Sequence, residues 1–114
     1  MTDLNEKAAE CMGFRKVGNF KENTIPSYYS ETQFICYVSD WQPTKNIAQA
    51  WMLVEKLQKT GSYVAIETHN YIPQTDEMID CWRVCVNGLF FHYAPTAPEA
   101  ITAACVEALS RCPK

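Results

Sequence analysis

The run Trp82-Arg83-Val84-Cys85-Val86-Asn87-Gly88-Leu89-Phe90-Phe91, with Ala94-Pro95-Thr96-Ala97-Pro98-Glu99-Ala100-Ile101 close behind, constrains the fold more than any other part of the chain. Two apolar, β-prone segments are joined by Asn-Gly, the strongest short signal for a hairpin. A helix start follows. Thr96 can act as N-cap, Glu99 can close a capping box, and Pro98 stands in the first turn, where no amide donor is needed. Ile101, Ala104, Cys105, Ala108 and Leu109 then repeat at helical spacing. The chain should end as hairpin then helix, with the helix N-terminus opening where the last strand stops. Unpaired amides and the positive end of the helix dipole make that place suited to an anion.

The same signals divide the rest. Asp3, with Glu6 completing a capping box, starts a first helix striped by Leu4, Ala8, Cys11 and Met12 and ended by Gly13. Phe14 to Val17 starts a strand, and Phe34 to Val38 forms another. Residues 18 to 33 are poorly patterned and broken by Pro26, which points to a loop or irregular hairpin. Asp40-Trp41-Gln42-Pro43-Thr44 looks like a second helix start; Ile47, Ala50, Trp51, Val54 and Leu57 mark its core face, and Gly61 stops it. Tyr63 to Thr68 is a strand, Asn70 to Glu77 a loop, and Ile79 to Val86 with Leu89 to Tyr93 the hairpin.

The expected fold class is therefore α+β, in the order α-β-β-α-β-β-β-α, as one domain over residues 1–114. Short connections favour an antiparallel sheet. Along Ile79 to Val86, Trp82, Val84 and Val86 share one face while Cys81, Arg83 and Cys85 share the other. Both faces are mostly apolar. An α/β/α sandwich follows, with helices on each side or a second subunit covering one. Such an apolar hairpin also predicts a homodimer or hexamer.

Composition excludes several functions. Net charge is −3, with scattered Lys and Arg, so no basic surface tracks duplex nucleic acid. No apolar run approaches a membrane span and no signal-peptide core is present, so a cytoplasmic protein with six free thiols is expected. No Cys-x-x-Cys occurs; Cys81 and Cys85 on a strand would stand roughly 13 Å apart, too far for one metal ion. There are two histidines and no nucleophile, P-loop or metal-protease motif, so no catalytic group, metal or cofactor is assigned.

Binding features are better represented. Flat side chains include Trp41, Trp82, Phe90 and Phe91, and Arg15, Arg83 and Arg111 offer forks for phosphate. Trp51 and Trp82 fall on apolar stripes and are expected in the core. Arg83, between two cysteines on a half-covered strand, needs a partner: a local ion pair, or a ligand. A ligand site is placed near Arg83, Asn87, Phe90, His92 and Thr96, with Arg15 and Trp41 as further candidates.

Several segments resemble the phage ABA sandwich domain family: Met12-Gly13-Phe14, Trp41-Gln42-Pro43-Thr44-Lys45-Asn46-Ile47-Ala48-Gln49-Ala50-Trp51 with Val54-Glu55-Lys56-Leu57, Trp82-Arg83-Val84, and Ala94 to Ile101. Within that group the chain is similar to the Thoeris anti-defence 1 proteins of phages. The resemblance implies a non-catalytic sponge in the host cytoplasm. Such a protein binds a cyclic ADP-ribose isomer, made by bacterial TIR-domain enzymes, at the boundary between subunits of a dimer or hexamer. Some members also hold cyclic oligonucleotides. By position, Asn87 is the residue the resemblance most readily marks as ligand-binding. The family's last helix often has an arginine where this chain has Ala103. The competing expectations are a protein–protein adaptor without small ligand, and a small nucleotide-cleaving enzyme.

Overall fold

The computed structural model describes residues 3–111. The elements are α1 (Leu4–Cys11), β1 (Arg15–Val17), β2 (Ser27–Ser30), β3 (Gln33–Tyr37), α2 (Ile47–Lys59), β4 (Val64–His69), β5 (Cys81–Val86), β6 (Phe90–Ala94) and α3 (Ala97–Arg111). The fold is α+β and its strands are antiparallel, as expected. They form two three-stranded sheets, β1-β2-β3 and β4-β5-β6, rather than one. The additional strand, β2, lies inside the segment expected to be a loop, where Arg15, Lys16 and Val17 pair with Tyr29, Tyr28 and Ser27. Gly18 makes the return possible: its φ is 102°, and a Cβ there would lie 2.7 Å from the Ile25 carbonyl oxygen.

Two helix starts differ from expectation. α1 begins directly after Asp3, but the Asp3 side chain makes no capping bond. α2 begins at Ile47 rather than in the Asp40–Thr44 run, and Asn46 caps it by accepting from the Gln49 amide at 3.1 Å. The cause is Trp41. It is 2% exposed, packs edge-on to Phe14 with centroids 5.0 Å apart, and donates from Nε1 to the Asn5 carbonyl at 2.8 Å. Anchoring that ring keeps its backbone extended (φ −86°, ψ 96°), so the helix cannot start there.

α3 is the central element. Ala100, Ile101, Thr102, Ala104, Cys105, Val106 and Ala108 are all buried, because α1 and α2 pack on it from the sides and β5 and β6 lie beneath. Small residues let these neighbours approach. The face of β4-β5-β6 under α3 carries Val84, Val86 and Ala94. α2 buries Ala50, Leu53, Val54 and Leu57, but Ile47 and Trp51 remain 51% and 47% exposed, which removes Trp51 from the core. The molecule is elongated, 47 × 30 × 24 Å, with a radius of gyration of 15.1 Å. A typical compact domain of this length would have about 13 Å. The β1-β2-β3 sheet is the least buried part, and Phe20, Ile25, Phe34 and Tyr37 stand exposed on or beside it.

Cys11, Cys36, Cys81, Cys85 and Cys105 are free thiols; Cys112 lies outside the described residues. Burial pushes the Cys105 thiol up to about 12, with a smaller contribution from Cys11. This predicts a pH dependence. Above pH 9 the unfolded thiol ionises while the folded one stays protonated, so stability falls as pH rises from 9 towards 12. Urea unfolding of the wild type should lose stability across that window faster than Cys105→Ala does, by up to about 1.4 kcal/mol per pH unit. Parallel pH profiles for the two proteins would contradict it.

Candidate functional site: an arginine on an open sheet face

Strand register sorts the β4-β5-β6 side chains. Ala65, Cys85 and Phe91 pair in one row, and Glu67, Arg83 and Tyr93 in the next. His69 pairs with Cys81, and Pro95 follows β6 on the same alternation. These rows occupy the face turned away from Val84 and Val86, and hence away from α3.

Arg83 sits at the centre. Its guanidinium carbon lies 4.8 Å from the Phe91 ring centroid, a cation–π contact. Its Nε lies 3.3 Å from Glu67 Oε1, within ion-pair distance but off the hydrogen-bond line, and that buried Nε has no hydrogen-bond partner. The Arg83 and Glu67 side chains are 30% and 50% exposed, so water screens the pair. Behind Arg83, His69 meets Tyr93 edge-on at 5.5 Å, and His69 Nδ1 is buried without a partner. The face then runs into a cleft of about 650 Å³ lined by Thr68, His69, Asn70, Asp80, Cys81, Trp82 and Pro95. Its size suits a small organic ligand. Trp82, expected in the core, is partly buried and serves both the core and this cleft.

The structure separates the residues grouped from sequence. Arg83 alone lies on the open face. Asn87 and Gly88 occupy the turn with φ of 55° and 71°, and Leu89 N donates to the Val86 carbonyl. Asn87 Oδ1 accepts from the Tyr63 amide at 2.8 Å while its own amide donates to the Tyr63 carbonyl at 2.7 Å, so its side chain ties the turn to β4. Thr96 is at the opposite end of β6 from that turn. Phe90 faces the core side and packs there. His92 is on the core side too, with Nε2 2.6 Å from Glu107 Oε1; Glu107 also holds Arg111 at 3.3 Å. Trp41 is buried. Arg15 belongs to the other sheet, where it donates to the Glu31 carbonyl and lies 5.9 Å from the Tyr29 ring.

Register explains the exchange of Phe90 for Phe91. A two-residue Asn-Gly loop would pair Val86 with Leu89 and bring Phe90 and His92 to the Arg83 face. Instead Leu89 joins the loop and Val86 pairs with Phe90. A shift of one residue turns every β6 side chain over. The sequence offers Phe91 and Tyr93 only as flat side chains among several, and does not place Phe91, Tyr93 or His69 beside Arg83. The α3 N-terminus is also a weaker anion site than its sequence suggests. Pro98 removes one of its free amides, Glu99 adds a carboxylate in the first turn, and Ala100 N is bonded to the Thr96 carbonyl.

Asn87 therefore has a structural effect that can be measured. Asn87→Ala should cost about 1–2 kcal/mol, from the lost bond to Tyr63 N and from alanine at positive φ; Asn87→Gly, which keeps the turn, should cost less. Equal urea midpoints for wild type and Asn87→Ala would refute this.

Among the described residues, no group of three or more His, Cys, Asp or Glu is placed to hold a metal ion, and no helix is long and apolar enough to cross a membrane. In comparison with known proteins, residues 8–106 match the model of a family described as Phage ABA sandwich domain. No curated protein and no solved structure matches the chain.

Proposed function

The chain belongs to the Phage ABA sandwich domain family, and from that premise we propose that it binds and sequesters a cyclic ADP-ribose-type nucleotide without cleaving it, as a phage anti-defence protein acting against Thoeris immunity in the host cytoplasm. The observation that carries this reading is the Arg83 guanidinium stacked on Phe91, on a sheet face that opens into the cleft bounded by His69, Trp82 and Pro95. A cyclic ADP-ribose-type ligand needs a cation for its pyrophosphate, aromatic surfaces for its base and a concave wall that excludes water. Arg83, Phe91 with Tyr93, and the cleft supply these in turn. Sequestration needs affinity alone; His69 and Cys81 stand opposite each other in the cleft, but the Cys81 thiol donates to the Tyr71 carbonyl rather than to His69. In this reading the protein acts as a homodimer or hexamer, with the ligand held at a boundary between subunits. The resemblance to the Thoeris anti-defence proteins also raises a cyclic oligonucleotide as a ligand, but Ala103 offers no cation for one.

The test is a binding and release experiment. The protein is incubated with individual cyclic ADP-ribose isomers, the free ligand is measured, the protein is heat-denatured and the supernatant is analysed. Depletion followed by recovery of intact ligand is expected. Recovery of a cleaved product would make the protein an enzyme. No depletion would favour an adaptor that uses the same aromatic face for a protein partner.

A further inference from the structure

β4 is an edge strand whose outer side is unusually open to pairing. Asn87 N donates to Tyr63 O, so Tyr63, and by alternation Ala65, Glu67 and His69, turn their main-chain groups towards β5. Val64, Ile66 and Thr68 therefore aim their amides and carbonyls out of the sheet. Natural edges are protected by proline, lysine or a bulge. β4 has none of these: its sequence is Val-Ala-Ile-Glu-Thr-His, its register with β5 is unbroken, and its one carboxylate, Glu67, already sits beside Arg83. Large apolar side chains flank the edge. Trp51 is 47% exposed and Tyr63 66%. With Val54, Val64 and Ile66 they line a groove of about 310 Å³ between α2 and β4.

We propose that this edge pairs antiparallel with β4 of a second copy of the chain, about a two-fold axis at Ile66. The sequence is complementary to itself in that register. Ile66 falls opposite Ile66 of the second copy and Val64 opposite Thr68, so each outward amide meets an outward carbonyl. On the open face Glu67 falls opposite Ala65, which keeps the two carboxylates from facing each other. Centring the pair on Glu67 instead would also bring outward groups together, Ile66 opposite Thr68, but would set the two Glu67 carboxylates directly against each other. On the helix side the Ile66 side chains meet at the axis, and the two Trp51 rings close over them from the α2 helices. The contact is isologous and closes on itself, so it stops at two copies. It joins the two Arg83 faces into one continuous surface. The pairing does not depend on which ligand that surface binds.

Sedimentation equilibrium and amide hydrogen exchange on the full chain test this without any nucleotide. The wild type should be a dimer at micromolar concentration. The Ile66 and Thr68 amides should exchange slowly in the dimer and lose that protection on dilution. Thr68→Pro removes an outward amide that β5 does not use, which an edge strand tolerates. Trp51→Lys places two cations across the axis. Each should weaken dimerisation at least tenfold while the far-ultraviolet circular dichroism stays that of the wild type. A monomeric wild type overturns the proposal. So does fast exchange at Ile66 in a dimer, or a dimer equally strong in both folded variants. If either variant fails to fold, the exchange measurement on the wild type decides.

Discussion

Trp41→Ala should remove a large share of the stability of the fold. Truncating a buried tryptophan costs about 3–5 kcal/mol through lost transfer energy and the cavity left behind. Domains of this size are stable by only about 5–15 kcal/mol. Trp41 is a keystone because three parts of the chain meet on it: Phe14 packs on its ring, Asn5 of α1 accepts its indole N–H, and α2 starts only after it. Trp41→Phe separates these contributions. It keeps an aromatic ring against Phe14 but leaves the Asn5 carbonyl without its donor, so it should cost about 1–3 kcal/mol. Urea unfolding followed by circular dichroism reads both. A loss below 1 kcal/mol for Trp41→Ala would show that the ring is not structural, and would return it to the list of candidate ligand surfaces.

Arg83→Ala should weaken nucleotide binding by roughly thirtyfold, about 2 kcal/mol, with little change in stability. The guanidinium is partly exposed, its ion pair with Glu67 is solvated, and its Nε already lacks a hydrogen-bond partner, so its removal leaves no buried charge behind. Glu67→Gln should have the opposite effect. Its carboxylate competes with a phosphate for the same guanidinium, and neutralising it should tighten binding. Phe91→Ala should weaken binding through lost stacking, whereas Phe90→Ala should chiefly destabilise the fold. Calorimetric titration with cyclic ADP-ribose isomers distinguishes these effects. Equal affinities for wild type, Arg83→Ala and Phe91→Ala would exclude this face as the site.

Much of the architecture is written locally. Asn87-Gly88 specifies a turn because both positions take positive φ, and the helix after it starts at the residue its capping pattern marks. The end of α1 is equally local: Gly13 N donates to the Glu10 carbonyl and Phe14 N to the Ala9 carbonyl, the bond pair that glycine after a helix permits. The period-two alternation on β5 correctly places Arg83 opposite Val84 and Val86. Each of these depends on a few neighbouring residues, so a single sequence is enough to determine it.

What only the tertiary structure decided depends on partners distant in sequence. Trp41 and Trp51 both sit in helix-like patterns. Whether each is buried is set by Phe14 and Asn5 on one side, and on the other by the gap that α2 leaves over β4. β2 forms because β1 and β3 flank it, not because its own residues are strongly patterned. The site itself turns on one residue of register. Local chemistry fixes the Asn-Gly turn, but the pairing of Val86 with Phe90 rather than Leu89 is chosen by burying Phe90 against the core and leaving Leu89 in water. That choice sends Phe91 and Tyr93 to Arg83 and His92 to Glu107. Sequence determines which residues can alternate; packing of the whole chain determines which way they face.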